Sequence, residues 1–310
     1  MLFTYGIPSV KVDITDLLYK NMRSAIVYIP PDDNLRAKLF TDPIFGTVKS
    51  IFINDVVYDA NTPIFIDTTT ESVYTDYMPD YIRDVYPEEC LLAKVYSLQN
   101  NLVLRHGSMR EEFPEQKMAV RYLKGTEKVL EIGGNVGRNS LIIASLVPQE
   151  TFVTLESDPN IAKQLEENRD ANSMRFHIES SALSMRPLIQ RGWDTIVSDK
   201  VLDGYKKVNT ITLDELREKY KIDFDTLVLD CEGAFYYILH DMPSILDGIT
   251  TVIMENDYYN MGHKLFIDES LKLRGFQCVY SETLGPEFAY KNFPCEKEFF
   301  QVWQLQLEKN

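Results

Sequence analysis

The residues best spaced for chemistry lie in VLEIGGNVGRNSLIIASL, positions 129–146. An apolar run ends near Glu131, glycines stand at 133, 134 and 137, and a helical pattern starts around Asn139. Glycines in such a strand-to-helix turn let the backbone bend tightly and approach a ligand closely. The dinucleotide pattern Gly-x-Gly-x-x-Gly fails here in both registers. Counted from Gly133 it meets Asn135 and Arg138, and ended on Gly134 and Gly137 it meets Ile132. Glu156 closes the next apolar run, TFVTLE. A carboxylate at that position can accept two hydrogen bonds from the hydroxyls of a ribose.

A second group of carboxylates follows. Asp230 ends DTLVLD, with Glu232 two positions on and Gly233 next. If the extended backbone continues through Cys231, Asp230 and Glu232 point the same way, because side chains two apart then share a face. Glu255 ends TVIME, with Asp257 close behind. Ligands of open α/β sheets bind outside the carboxyl ends of the strands. Asp230, Glu232 and Glu255 are therefore expected on the same edge as the glycine loop, where one of them can take a proton from a hydroxyl. Asp230 and Glu232 lead as the base, with Glu255 next.

The glycine loop resembles motif I of class I S-adenosylmethionine-dependent methyltransferases, in which an acidic residue precedes the Gly-rich turn. With TFVTLESDP, TITLDEL and LVLDCEG in the same order, residues from about 115 to 305 resemble the FkbM family of these enzymes. Asn135, Thr212-Leu213-Asp214 and Asp230-Cys231-Glu232-Gly233 are the distinguishing residues. The resemblance implies S-adenosyl-L-methionine as cofactor, held by Glu131, Gly133, Gly134, Asn135, Gly137, Asn139, Glu156, Ser181 and Ala182. It also implies O-methylation of a hydroxyl, often on a sugar, so the expected partner is a small-molecule or glycan acceptor. Two positions depart from the family pattern. Val228 stands where a lysine is usual, and Phe235 where an acidic residue is common. A degenerate methyltransferase fold serving as a glycan- or protein-binding subunit is the alternative these departures favour. Magnesium, calcium or manganese clasped by some of Asp230, Glu232 and Glu255 would suit their hard oxygens. The metal-free version is preferred and no metal site is assigned, because the sequence fixes no coordination geometry.

The elements that must hold these residues alternate. From about residue 80, helical segments separate short apolar strands, which implies a doubly wound, mainly parallel seven-stranded sheet of Rossmann-like class I methyltransferase type. Asp158-Pro159 is an N-cap and first-turn pair, and Thr212 with Glu215 forms a capping box. The runs at 276–280 and 299–306 have SETLGPEFAYKNFPCEKE between them and suggest an antiparallel edge. Residues 1–78 read differently, as a small all-β accessory domain with runs such as AIVYI and PIFID between turn clusters. Residues 79–310 are the expected methyltransferase domain.

The chain has 310 residues, with 47 acidic against 32 basic side chains and a net charge of −15. That is a poor footprint for nucleic acid or an anionic membrane surface. No apolar run is long enough to span a bilayer, and the N-terminus has no signal-peptide pattern. The four cysteines form no CxxC pair and read as free thiols, so a reducing, cytoplasmic setting is expected. His106, His177, His240 and His263 read as structural or surface residues, with His263 nearest to a role as base. Tyr258 and Tyr259 read equally as packing residues or as a platform for a sugar ring. The sequence leaves the oligomeric state open.

Overall fold

The apolar runs near the N-terminus pair into two small antiparallel sheets. The computed structural model describes residues 1–54, 56–285 and 294–306, which form two compact units, Met1–Asn101 and Leu102–Asn310. The first unit runs β1 (Phe3–Ile7), β2 (Val10–Asp13), α1 (Thr15–Lys20), β3 (Ile26–Ile29), α2 (Asp33–Phe40), β4 (Ser50–Ile53), β5 (Val56–Tyr58), β6 (Ile64–Asp67), β7 (Ser72–Tyr74), α3 (Asp80–Val85) and α4 (Pro87–Asn100). Its sheets have the orders β2-β1-β4-β5 and β3-β6-β7. The expected strands at AIVYI and PIFID are β3 and β6.

The stretch 1–78 is not all-β as expected, since it carries two helices, α1 and α2, among the described residues. The cluster Pro30-Pro31-Asp32-Asp33-Asn34 reads as a turn because turn formers and helix N-caps are the same residue types. Here Asp32 caps α2, its side chain accepting from the Leu35 N–H at 2.8 Å. The expected boundary at 78/79 also differs from the observed division after Asn101. Helices α3 and α4 belong to the first unit because Ile82, Tyr86, Cys90 and Ala93 bury against Ile26, Phe65 and Met78. The Tyr86 hydroxyl donates to the Ile26 carbonyl at 3.0 Å.

The second unit begins with α5 (Phe113–Tyr122), β8 (Val129–Ile132), α6 (Arg138–Ala144), β9 (Phe152–Leu155), α7 (Pro159–Ala171) and β10 (His177–Glu179). An excursion follows, made of β11 (Ala182–Leu183), β12 (Leu188–Arg191), β13 (Asp194–Val197), β14 (Lys206–Val208) and β15 (Thr210–Ile211). Then come α8 (Leu213–Tyr220), β16 (Thr226–Leu229), α9 (Phe235–Asp241), β17 (Thr251–Glu255), α10 (Met261–Leu273), β18 (Phe276–Glu282) and β19 (Phe300–Leu305). The expected seven-stranded, mainly parallel sheet is present, in the order β10-β9-β8-β16-β17-β19-β18. Its antiparallel edge is β19 with β17 and β18. Residues 286–293 of the connecting segment lie outside the described residues. Asp158 caps α7 and Thr212–Glu215 forms the capping box of α8, both as expected.

Register turns this order into a site. Ile132 pairs with Leu155 on one side and Leu229 on the other, and Leu229 pairs with Met254. The residues one step further, Gly133, Glu156, Asp230 and Glu255, therefore form one row at the carboxyl edge. The chain runs from β8 through β9 to β10, then crosses to β16, so the topological switch lies between β8 and β16. A Cβ on Gly133, whose φ is +97°, would stand 1.6 Å from the Asp230 carbonyl oxygen. Gly133→Ala should lower the unfolding free energy by on the order of 3 kcal/mol, from left-handed strain and backbone overlap together. Urea denaturation would measure it, and a change within error would contradict the close approach.

Candidate functional site

A cavity of about 600 Å³ opens at this edge within the second unit. Its walls come from successive loops. Gly133 and Asn135 follow β8, Glu156 and Ser157 follow β9, Ser181 and Ala182 follow β10, and Asp230 and Glu232 follow β16. Tyr237, Ile238 and Asp241 of α9 close one side. Leu188, Gln190, Trp193 and Ile196 of the β12–β13 hairpin close another.

Each wall has a local cause. Asn135 adopts a left-handed φ of +45°, and its backbone N–H donates to Glu156 Oε2 at 2.9 Å. The Asp158 N–H donates to Glu156 Oε1 at 2.8 Å. These bonds aim the Glu156 carboxylate and leave it lone pairs, since an ionised carboxylate has about four acceptor sites. Burial pushes its carboxyl above the ordinary value, opposed by these backbone donors. Ser181 donates to Glu179 Oε1 at 2.9 Å, which fixes the start of the next loop. Asp230 is pushed well above the usual carboxylate range by burial and by Glu255 beside it. Asp257 accepts from the Gly233 N–H at 2.8 Å and so anchors the turn that carries Glu232. Burial, reinforced by Glu232, raises Asp257 to about 7.

Five expected site residues do not border the cavity. Glu131 is buried beneath the loop, where Ser140 and Asn139 donate to its two oxygens. It clamps the end of β8 to the first turn of α6, and Asn139 is the other jaw of that clamp. Gly134 packs where a Cβ would meet Thr154 Oγ1 at 2.3 Å and Leu165 Cδ1 at 2.8 Å. Gly137, at φ +93°, lies against Leu165 and starts α6. Glu255 stands behind Asp230. One carboxylate oxygen each from Glu115, Asp230 and Glu255 lies within 4.8 Å of the others, an arrangement able to hold a metal ion.

Other residues fall elsewhere. His263 stacks on Tyr236 at 3.7 Å, and His106 pairs with Glu167 at 2.6 Å. His177 packs on Tyr220, and His240 lies beside Asp241. None of the four borders the cavity. Tyr258 is buried and Tyr259 exposed, and neither reaches it. Val228 and Phe235 are both core residues. All four cysteines are free, as expected.

Two parts of the site escaped the sequence reading. Glu115 lies on α5, far along the chain from its neighbours, and nothing in EEFPEQKM marks it. The excursion from β11 to β15 interrupts the alternation of strand and helix before α8. Its strands β13-β12-β14 form an antiparallel sheet with Gly192 and Trp193 at the hairpin turn. The Gly192-Trp193 pair between alternating residues was the available signal. The Ser157 hydroxyl donates to Gln190 Oε1 at 3.2 Å, and Arg186 forms an ion pair with Asp241. These two contacts tie the excursion to the cavity rim.

No family profile matches the chain, and no curated protein matches it. Solved structures give weak likenesses. The chain is similar to a ribosomal protein L11 methylase from Lactobacillus delbrueckii subsp. bulgaricus, at 12% identity over 65% of this chain and 81% of that one, with a TM-score of 0.43. It is similar to an O-methyltransferase from Bacillus cereus in complex with SAH, at 15% identity over 73% and 96%, with a TM-score of 0.39. It is also similar to a tRNA m1A22 methyltransferase from B. subtilis, at 12% identity over 62% and 65%, with a TM-score of 0.39. At such scores the fold assignment rests on the strand order above. No described helix is long and apolar enough to cross a membrane.

The clamp residue yields a prediction. Burial raises the Glu131 carboxyl from 4.5 to about 7. The folded state then holds this proton more tightly than the unfolded chain. The associated stability is full below the unfolded value and is lost as the pH rises through 7. The whole span is worth on the order of 3 kcal/mol. Glu131→Gln keeps the shape without the charge. It should flatten the fall in unfolding free energy between about pH 5 and pH 8, measured in urea. Parallel curves for the two proteins would contradict the assignment.

Proposed function

We propose that the chain is an S-adenosylmethionine-dependent methyltransferase acting on a hydroxyl, with a sugar or glycan as acceptor. The observation that carries this is the charge of the cavity. Its wall holds Glu156, Asp230 and Glu232, and its one basic lining residue, Arg186, is paired with Asp241. A nucleoside that bears phosphates would meet acidic groups there, with no unpaired Lys or Arg among the described lining residues. A nucleoside that bears a sulfonium cation meets favourable charge. Glu156, oriented by two backbone donors and with lone pairs to spare, suits a ribose diol. Ser181 and Ala182 suit the border of the base.

The bound cofactor supplies the methyl group for in-line transfer. The chain's own residues would position the acceptor and take its proton. Asp230 and Glu232 both reach the cavity, and a carboxylate there can accept the proton of an attacking hydroxyl. Glu255 does not border the cavity, so its role in this reading is to hold Asp230. Glu131, Gly134, Gly137 and Asn139 shape the loop from below instead of touching the ligand. The four free cysteines fit a reducing compartment such as the cytoplasm. The core positions of Val228 and Phe235 favour one second reading, a fold that binds the cofactor and a glycan without transferring methyl.

Calorimetry should find S-adenosylmethionine and its demethylated product binding with micromolar affinity, and silence at millimolar ligand would sink the proposal. Glu156→Ala should weaken both by at least about tenfold through loss of the ribose bonds. Labelled methyl transfer to a broad panel of glycans and small hydroxyl compounds separates the two readings. Binding without transfer to any of them would select the second.

A further inference from the structure

The three carboxylates at the edge of the cavity come from three different elements: Glu115 from α5, Asp230 after β16 and Glu255 at the end of β17. We propose that they form a binding site for one hard divalent cation, of the magnesium, manganese or calcium class.

The geometry suits one ion. Two ligands of a single cation stand no further apart than twice the metal–oxygen distance, which is about 4.2–4.8 Å for distances of about 2.1–2.4 Å. One oxygen from each of the three residues falls within 4.8 Å of the others. A second observation is independent of that spacing. Glu115 is only 7% exposed, and its Oε2 is buried with no hydrogen-bond partner. Buried carboxylate oxygens ordinarily find a donor or a metal, because leaving one unpaired is costly.

Protein cations do not fill this role. Among the described residues no ion pair reaches Glu115, Asp230 or Glu255. Arg138, on the neighbouring helix α6, is already held by Glu111 and Glu112. Glu112 and Asp257 add further negative charge beside Asp230. A divalent cation supplies the missing partner for Glu115 and offsets the charge of the three gathered carboxylates. All the donors are carboxylate oxygens, which select hard ions over soft ones. Asp230 also borders the cavity, so an ion has a route in, and its remaining positions are open to water or an acceptor hydroxyl.

This site does not depend on the methyltransferase reading, and the probe is manganese alone. The full chain, stripped with EDTA, is titrated with MnCl2 while the paramagnetic signal of free Mn2+ is followed. One saturable ion per chain is expected. Glu115→Gln and Glu255→Gln should each weaken it by at least about tenfold, whereas Glu218→Gln, on the exposed face of α8, should leave it unchanged. Thermal melting in EDTA checks the fold, and both variants should melt no lower than the parent because each removes a crowded charge. Mn2+ should raise the melting temperature of the parent and not of the two variants. Absence of saturable binding, or binding unaffected by both substitutions, overturns the proposal.

Discussion

The site depends on parallel pairing that continues past the last residues of the strands. The N–H groups of Gly133 and Gly134 both donate to the Leu155 carbonyl, at 3.0 and 2.8 Å. The Asp230 N–H donates to the Ile132 carbonyl at 3.1 Å. The glycine loop is thus stitched on one side to β9 and on the other to β16 before it turns into α6. Any side chain at 133 would push β16 away, and the row of Glu156, Asp230 and Glu255 would lose its alignment. Backbone hydrogen bonding, rather than side-chain contact, sets the spacing of the chemistry.

A second constraint follows from that spacing. Aligning strand ends that carry acids concentrates negative charge in a place water reaches poorly. The chain answers in three ways. Glu131 receives two side-chain donors, Glu156 receives two backbone donors, and Glu112 receives Arg138. Glu115, Asp230 and Glu255 receive none of these. The contrast between the satisfied and the unsatisfied acids marks where an external group belongs.

Much of this was legible in the residues. The strand-ending acids and the glycines stood out because a buried parallel strand is an apolar run, and its carboxyl end is where polarity returns. The seven-stranded sheet followed from the alternation of such runs with helical segments. What stayed hidden has physical reasons. Which of the loop's polar residues face the cavity is decided by a half-turn of backbone, so Glu131 and Asn139 read like Glu156 and yet do not border it. Glu115 joins its partners through tertiary packing alone. Short helices such as α1 and α2 span too few turns to show a period, and the Asp32 cap of α2 imitates a turn. The helices α3 and α4 were placed in the wrong unit because a helical pattern reveals an apolar face and not the surface that receives it.

The excursion between β10 and α8 is closed at its base by the parallel pair β11–β15, in which Ala182 faces Thr210 and Leu183 faces Ile211. A loop whose ends are pinned in this way behaves as a cuff around the cavity rim. Its length enters the free energy only logarithmically. Strands can be added to it, or its hairpin rebuilt, while Glu156 and Asp230 keep their positions in the sheet. The molecule therefore separates the row of Glu156 and Asp230, which is written into the strand register, from a wall of the cavity that can be exchanged without disturbing it.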